Sequence, residues 1–171
     1  MPTEYILAYH CAPAFAGIKP SNIASCSKRE NPNITVQIKM LNEKLNKNDI
    51  YIDVLCECGE RVLLMVYRKQ KLCEYLQRDD IKSFLCDNGY PKEFSLMKYL
   101  AILKSRIYAQ RLMNKEFPHE IGAFLGYPLH DIYGFINHKH QGCLLTGEWK
   151  VYENTEQAKN YSVVIINAVR Q

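Results

Sequence analysis

Apolar residues recur along this chain with two different periods. Val62, Leu64 and Val66 alternate with Leu63, Met65 and Tyr67. Both faces of that run are apolar, so residues 61–68 read as a central strand. A second β-rich run over residues 50–57, joined to it by Cys58-Gly59-Glu60, predicts an antiparallel hairpin that ends on Tyr67-Arg68. Elsewhere the period is helical. Ile34, Ile38, Leu41 and Leu45 trace a helix to about Lys47, opened by Asn31-Pro32 as cap and first helical residue and closed by the turn Asn48-Asp49. Leu72, Tyr75 and Leu76 mark one short helix, and Ile81, Phe84 and Leu85 another, stopped by Asn88-Gly89-Tyr90-Pro91. Residues 93–113 form the longest helix, with Leu96, Leu100, Leu103 and Ile107 towards the core.

The ends of the chain carry weaker patterns. Residues 4–9 read as a short strand leading into His10-Cys11, and residues 12–16 as a brief helix between Pro13 and Gly17. Residues 144–152 alternate as a strand, and Asn154-Thr155-Glu156-Gln157 opens a last helix, with residues 162–166 β-rich enough for a final strand instead. The sum is an α+β fold: a small antiparallel sheet with about five to seven helices, in a single domain over residues 1–171 without repeats or linkers.

Two Pro and three Gly punctuate the apolar stretch from Pro118 to Phe135, which predicts two short helices at a tight corner. Pro118 suits a first helical position, Glu120 the first turn, and Gly126 a left-handed end. Pro128 restarts the chain with Asp131 near the beginning and Ile132, Phe135 and Ile136 on one buried face. Gly122 and Gly134 inside helices call for close packing against the backbone. The spacing also matches a helix-turn-helix, but the reading helix would carry no Lys or Arg before Lys139, which argues against nucleic acid.

With 47% hydrophobic and 23% charged residues and a net charge of +4, the composition is that of a soluble globular protein, open to an anionic ligand. No run approaches the ~20 apolar residues a membrane helix needs, and the N-terminus lacks a signal-peptide pattern, so a cytoplasmic location is expected. The seven cysteines, an odd number, read as free thiols. Cys56-Glu57-Cys58 lacks the second pair that a structural zinc site needs, and His138 and His140 lie in a loop without partner ligands.

The sharpest chemical hint is Cys11, at the start of a short helix where unpaired N–H groups favour a thiolate. Thiol chemistry would take Cys11 as nucleophile or redox group, His119 or His10 as its base, and Glu120 or Asp131 as the orienting carboxylate. Backbone N–H groups near residues 12–14 would hold an oxyanion in acyl or amide transfer or hydrolysis. The competing reading is a non-catalytic pocket in which His10, Cys11, Lys19, Arg68, His119 and Tyr127 receive an anionic cofactor or metabolite, a metal or haem. A third is a protein-docking module that uses the helical corner.

The runs His10-Cys11-Ala12-Pro13, Gly17-Ile18-Lys19, FPHEIGAFLGYPLHDIYGFI and Gly147-Glu148-Trp149-Lys150-Val151-Tyr152 resemble an uncharacterised family of anaerobic, clostridium-like bacteria, a domain of unknown function. The resemblance spans nearly the whole chain and implies one intact domain with no assigned activity. His10, Cys11, Lys19, Tyr67, Arg68, His119, Glu120, Asp131, Trp149 and Tyr152 match its motifs, and Ile132 stands where Val is usual.

Overall fold

A computed structural model describes residues 1–115, 118–138, 145–146 and 150–151. Its organising element is β3 (Arg61–Arg68), flanked on both sides by antiparallel partners. β2 (Ile50–Cys58) is the hairpin partner, with a register shift between Val54 and Cys56, and β1 (Ser21–Ser27) pairs along the other edge. The central position predicted from a strand apolar on both faces holds, because Val62 to Tyr67 are all buried.

Each face of β3 seeds its own core. Val62, Leu64 and Val66, joined by Ala24, Cys26, Ile50 and Ile52, bury against α1 (Thr3–His10), α2 (Ala12–Phe15) and α3 (Ile34–Leu45). Leu63, Met65 and Tyr67 bury against the layer made by α4 (Lys69–Leu76), α5 (Asp79–Asp87), α6 (Leu96–Leu112), α7 (Ile121–Phe124) and α8 (Leu129–His138). A thin sheet between two helical layers is therefore the α+β architecture, with eight α-helices among the described residues. The outer edge of β2 is covered by a side chain. Asn42 accepts the Ile52 N–H and donates to the Ile52 carbonyl, both at 2.8 Å, standing where a further strand would bond.

Three expectations are corrected, and one strand is added. Residues 4–9 are helical, within α1: Thr3, Ile6 and Leu7 are its buried positions, a helical spacing that outweighs the β-prone side chains. Residues 21–27, for which no element was expected, form β1 and pair along their length with β3. The helix expected from Pro32 starts at Ile34, and the Asn31 side chain is instead buried, donating to Met1 O at 3.2 Å and Ser27 O at 3.3 Å. The single strand expected over residues 144–152 is a pair, β4 (Leu145–Thr146) antiparallel to β5 (Lys150–Val151). The helix or strand expected beyond residue 153, and the side chains of Trp149 and Tyr152, lie outside the described residues.

Candidate functional site

Two segments about a hundred positions apart meet at the end of β3. Gly17 (φ +73°) lets the chain leave α2 and turn into β1, with the Arg68 guanidinium packed against it. Arg68 donates to Ala14 O at 3.1 Å and to Phe15 O, and Lys71 donates to Gly17 O. The strand-end arginine thus clasps the carbonyl end of α2. On the other side stands the corner between α7 and α8. Gly126 (φ +76°) closes α7, and a β-carbon there would stand 2.7 Å from Pro20 Cδ, so glycine is required twice over. Ser21 Oγ donates to Phe124 O at 2.7 Å, fixing the junction. Gly122 answers its sequence reading, since a β-carbon would meet Ile132 Cγ1 at 3.0 Å.

The junction leaves an open-mouthed hollow of about 180 Å³, lined by His10, Lys19, Asn22, Ile23, Leu125 and Tyr127. Lys19 is 1% exposed, and its ammonium sits 4.9 Å from the centre of the Tyr127 ring. Asn22 is also buried, and its Oδ1 accepts the Ala14 N–H at 3.0 Å. Three residues singled out in the sequence, His10, Lys19 and Tyr127, therefore share one surface with Asn22.

Cys11 does not carry the expected activation. Its side chain is fully buried in the core with Leu7, Ala14, Cys26 and Val62, and burial pushes its thiol up to about 12, with neighbouring Cys26 adding to the rise and Lys19 opposing it. A helix of four residues aligns too few peptide dipoles to offset that desolvation. The Ala14 N–H, a candidate oxyanion donor, is already engaged by Asn22 Oδ1. His119 is exposed, lies against the Phe135 ring with centroids 5.4 Å apart, and is not part of the hollow's lining.

Glu120 belongs to a different cluster. It stands just before α7, which starts at Ile121 rather than at Pro118 as the sequence suggested. Its buried carboxylate accepts from Arg106 Nη1 at 2.6 Å and from Tyr90 OH at 3.4 Å. Arg106 also donates to Asn88 O at 2.5 Å and lies 4.9 Å over the Tyr90 ring. Burial and the nearby carboxylate together push the Tyr90 hydroxyl well above the usual tyrosine range. Asp131 is buried in the first turn of α8, with His130 Nε2 3.5 Å away. Nothing in the spacing of Tyr90, Arg106 and Glu120 announced this knot, because its members come from three separate segments: the turn after α5, α6 itself and the residue before α7.

A larger groove of about 540 Å³ runs between α3, β2 and α6, and the ion pair Lys104–Asp53 (2.8 Å) spans its wall. Cys56 is buried and Cys58 exposed, and no group of three His, Cys, Asp or Glu able to hold a metal occurs among the described residues. No described helix is long and apolar enough to cross a membrane.

A family model described as a protein of unknown function (DUF3793) matches residues 7–167. No curated protein and no solved structure matches the chain.

Proposed function

Because the chain belongs to the DUF3793 family, whose description assigns no activity, we propose from its geometry that it is a small-anion binding protein, with the hollow between β1 and the α7–α8 corner as the receptor. The observation that carries this reading is Lys19, a lysine withdrawn almost completely from bulk water yet lining an open hollow beside His10, Asn22 and Tyr127. A lysine ammonium at the wall of a hollow is a charge-assisted donor from which the oxygen of a small anion can accept. The size restricts the ligand. Pockets for drug-sized molecules run from about 300 Å³ upwards, so a hollow of about 180 Å³ suits a fragment the size of a small carboxylate or phosphate.

The thiol-enzyme reading loses its support where the binding reading gains it. A nucleophilic cysteine needs access and a lowered pKa, and Cys11 has neither. The test is a titration followed by backbone amide resonances, with acetate and inorganic phosphate as probes. The expected result is perturbation of residues 19–23 and 125–127, weakened at least about tenfold in Lys19→Met (a loss of ~1.4 kcal/mol). The amide spectrum of Lys19→Met shows whether the variant is folded before it is titrated. Absence of any response in the wild-type chain, or equal binding by Lys19→Met, would overturn the proposal.

A further inference from the structure

The two edges of the sheet are finished differently. On β2 the outward-facing Ile52 is met by the Asn42 carboxamide. On β1 the ladder shows which residues face outwards. The Arg68 N–H donates to Pro20 O at 3.1 Å at one end, and the Lys28 N–H to Glu60 O at 2.8 Å at the other. Bonding alternates along an antiparallel strand, so the even-numbered residues between them bond to β3, and Ser21, Ile23, Ser25 and Ser27 turn outwards. Asn31 holds the Ser27 carbonyl, through its N–H at 3.0 Å and Nδ2 at 3.3 Å, and Arg61 Nη2 holds the Ser25 carbonyl at 3.2 Å. Ile23 differs. Its N–H and C=O have no partner among the described residues, and it is half-buried at the wall of the hollow.

We propose that the hollow and the Ile23 edge form one receptor for the carboxyl terminus of an extended peptide, which adds to β1 as an antiparallel strand. The inference rests on the hollow being an anion site. An unpaired strand edge is a template for main-chain pairing, and the direction follows from charge. A strand antiparallel to β1 runs towards the start of β1, where the hollow lies, and brings its carboxylate there. A parallel strand would bring its ammonium to the same place, beside a lysine. His10, Lys19 and Asn22 are the lining side chains able to donate to the carboxylate oxygens. A terminus fits better than the middle of a chain, because the α7–α8 corner stands across the path. Ser21 Oγ is bonded to Phe124 O, and Leu125 and Tyr127 wall the hollow beyond Ile23. A strand of a second copy of this chain would have to continue through that wall. At about 30 Å³ for each water-sized group, ~180 Å³ takes about six non-hydrogen atoms, the size of a carboxyl-terminal alanine.

The experiment adds an acetylated pentapeptide of alternating threonine and valine, ending in alanine, to the full chain. It is supplied as the free acid, as the carboxyl-terminal amide, and as free acids N-methylated at one residue at a time. The free acid should perturb the amide resonances of residues 22–25 and slow hydrogen exchange at Ile23, whose N–H gains an acceptor. The amide should bind at least about tenfold more weakly. N-methylation should cost about as much at the one residue whose N–H meets the Ile23 carbonyl, and little at either neighbour.

If acetate binds and the free-acid peptide does not, this assignment is wrong and the anion-site reading stands. The same holds if the peptide binds without slowing exchange at Ile23, with equal affinity as acid and amide, or regardless of N-methylation. A free chain that is already a dimer with the Ile23 amide protected would give the edge to a second copy and overturn the assignment as well. If acetate, phosphate and peptide all fail to bind, both readings fall.

Discussion

The two ends of α7 carry opposite kinds of buried polar chemistry. At its start, Glu120 is closed in by Arg106 and Tyr90, and Arg106 in turn by Asn88 O and the Tyr90 ring. Each charge there has a partner from the protein itself. Past its end, Lys19 and Asn22 stand beside Leu125 and Tyr127 at the rim of a hollow, and the Asn22 amide carries a donor that no described residue accepts from. Burial alone would have marked Glu120 and Lys19 as equal candidates. The separation comes from what each lies against: Glu120 is closed inside a network that rigidifies the fold, whereas Lys19 lines an open hollow that a ligand can enter.

The comparison can be broken at its joint. Gly126→Ala sets a side chain at φ +76° and a β-carbon 2.7 Å from Pro20 Cδ, against a ring that cannot swing aside. Strain and overpacking together should destabilise the chain by about 2–4 kcal/mol, read as a lower urea midpoint. A loss below ~1 kcal/mol would mean that Pro20 and the corner are not in contact.

Glu120→Gln should be the next most damaging change, at about 2–3 kcal/mol by the same assay. That is at or below the low end for breaking a fully buried pair, because Arg106 is a third exposed. It leaves the hollow intact, so small-anion binding should persist.

Alkaline pH sharpens the contrast between buried polar groups and the buried thiol. Cys11 is neutral in the folded chain up to about 12, whereas an unfolded thiol ionises near 8.5. The raised value gives a stabilisation that is complete below about pH 8.5 and lost as pH climbs towards 12, at up to ~1.4 kcal/mol per unit. The hydroxyls of Tyr67 and Tyr90, also pushed up chiefly by burial, add the same sign of effect above about pH 10. Stability at pH 10 should therefore fall below that at pH 7, and Cys11→Ala should flatten part of the slope. Alkylation at pH 8 should label exposed Cys58 and spare Cys11 in the folded chain. Rapid labelling of Cys11 would restore the thiol reading.

The smallest effect belongs to the groove between α3 and α6. Lys104 and Asp53 are both about a third exposed, so Lys104→Met should change stability by less than ~1 kcal/mol.

The sequence was most readable where local pattern and burial agree. The β2–β3 hairpin, α3 and the run from α4 to α6 announce themselves, because β3 is apolar on both faces and the helices keep a regular apolar spacing. Legibility failed where tertiary contact decides. Residues 4–9 carry strand-prone side chains yet coil into α1, and Ser21–Ser27 has almost no β-branched content yet pairs along its length with β3. The site was half legible for the same reason. His10, Lys19 and Tyr127 stood out as chemistry-bearing, but their meeting depends on Pro20 seating against Gly126, a contact that no local pattern encodes. Cys11 misled because position at a helix start is visible in a sequence, whereas the hydrocarbon around the sulfur is not.

Thermal unfolding with and without acetate, against chloride at matched ionic strength, compares the two ends of α7 most directly. Wild type and Glu120→Gln should gain the same increment in Tm from acetate, since a ligand that binds only the folded state stabilises it by mass action, and Lys19→Met should gain none. Equal gains in all three proteins, or no gain in any, would contradict the assignment of one end to structure and the other to a ligand.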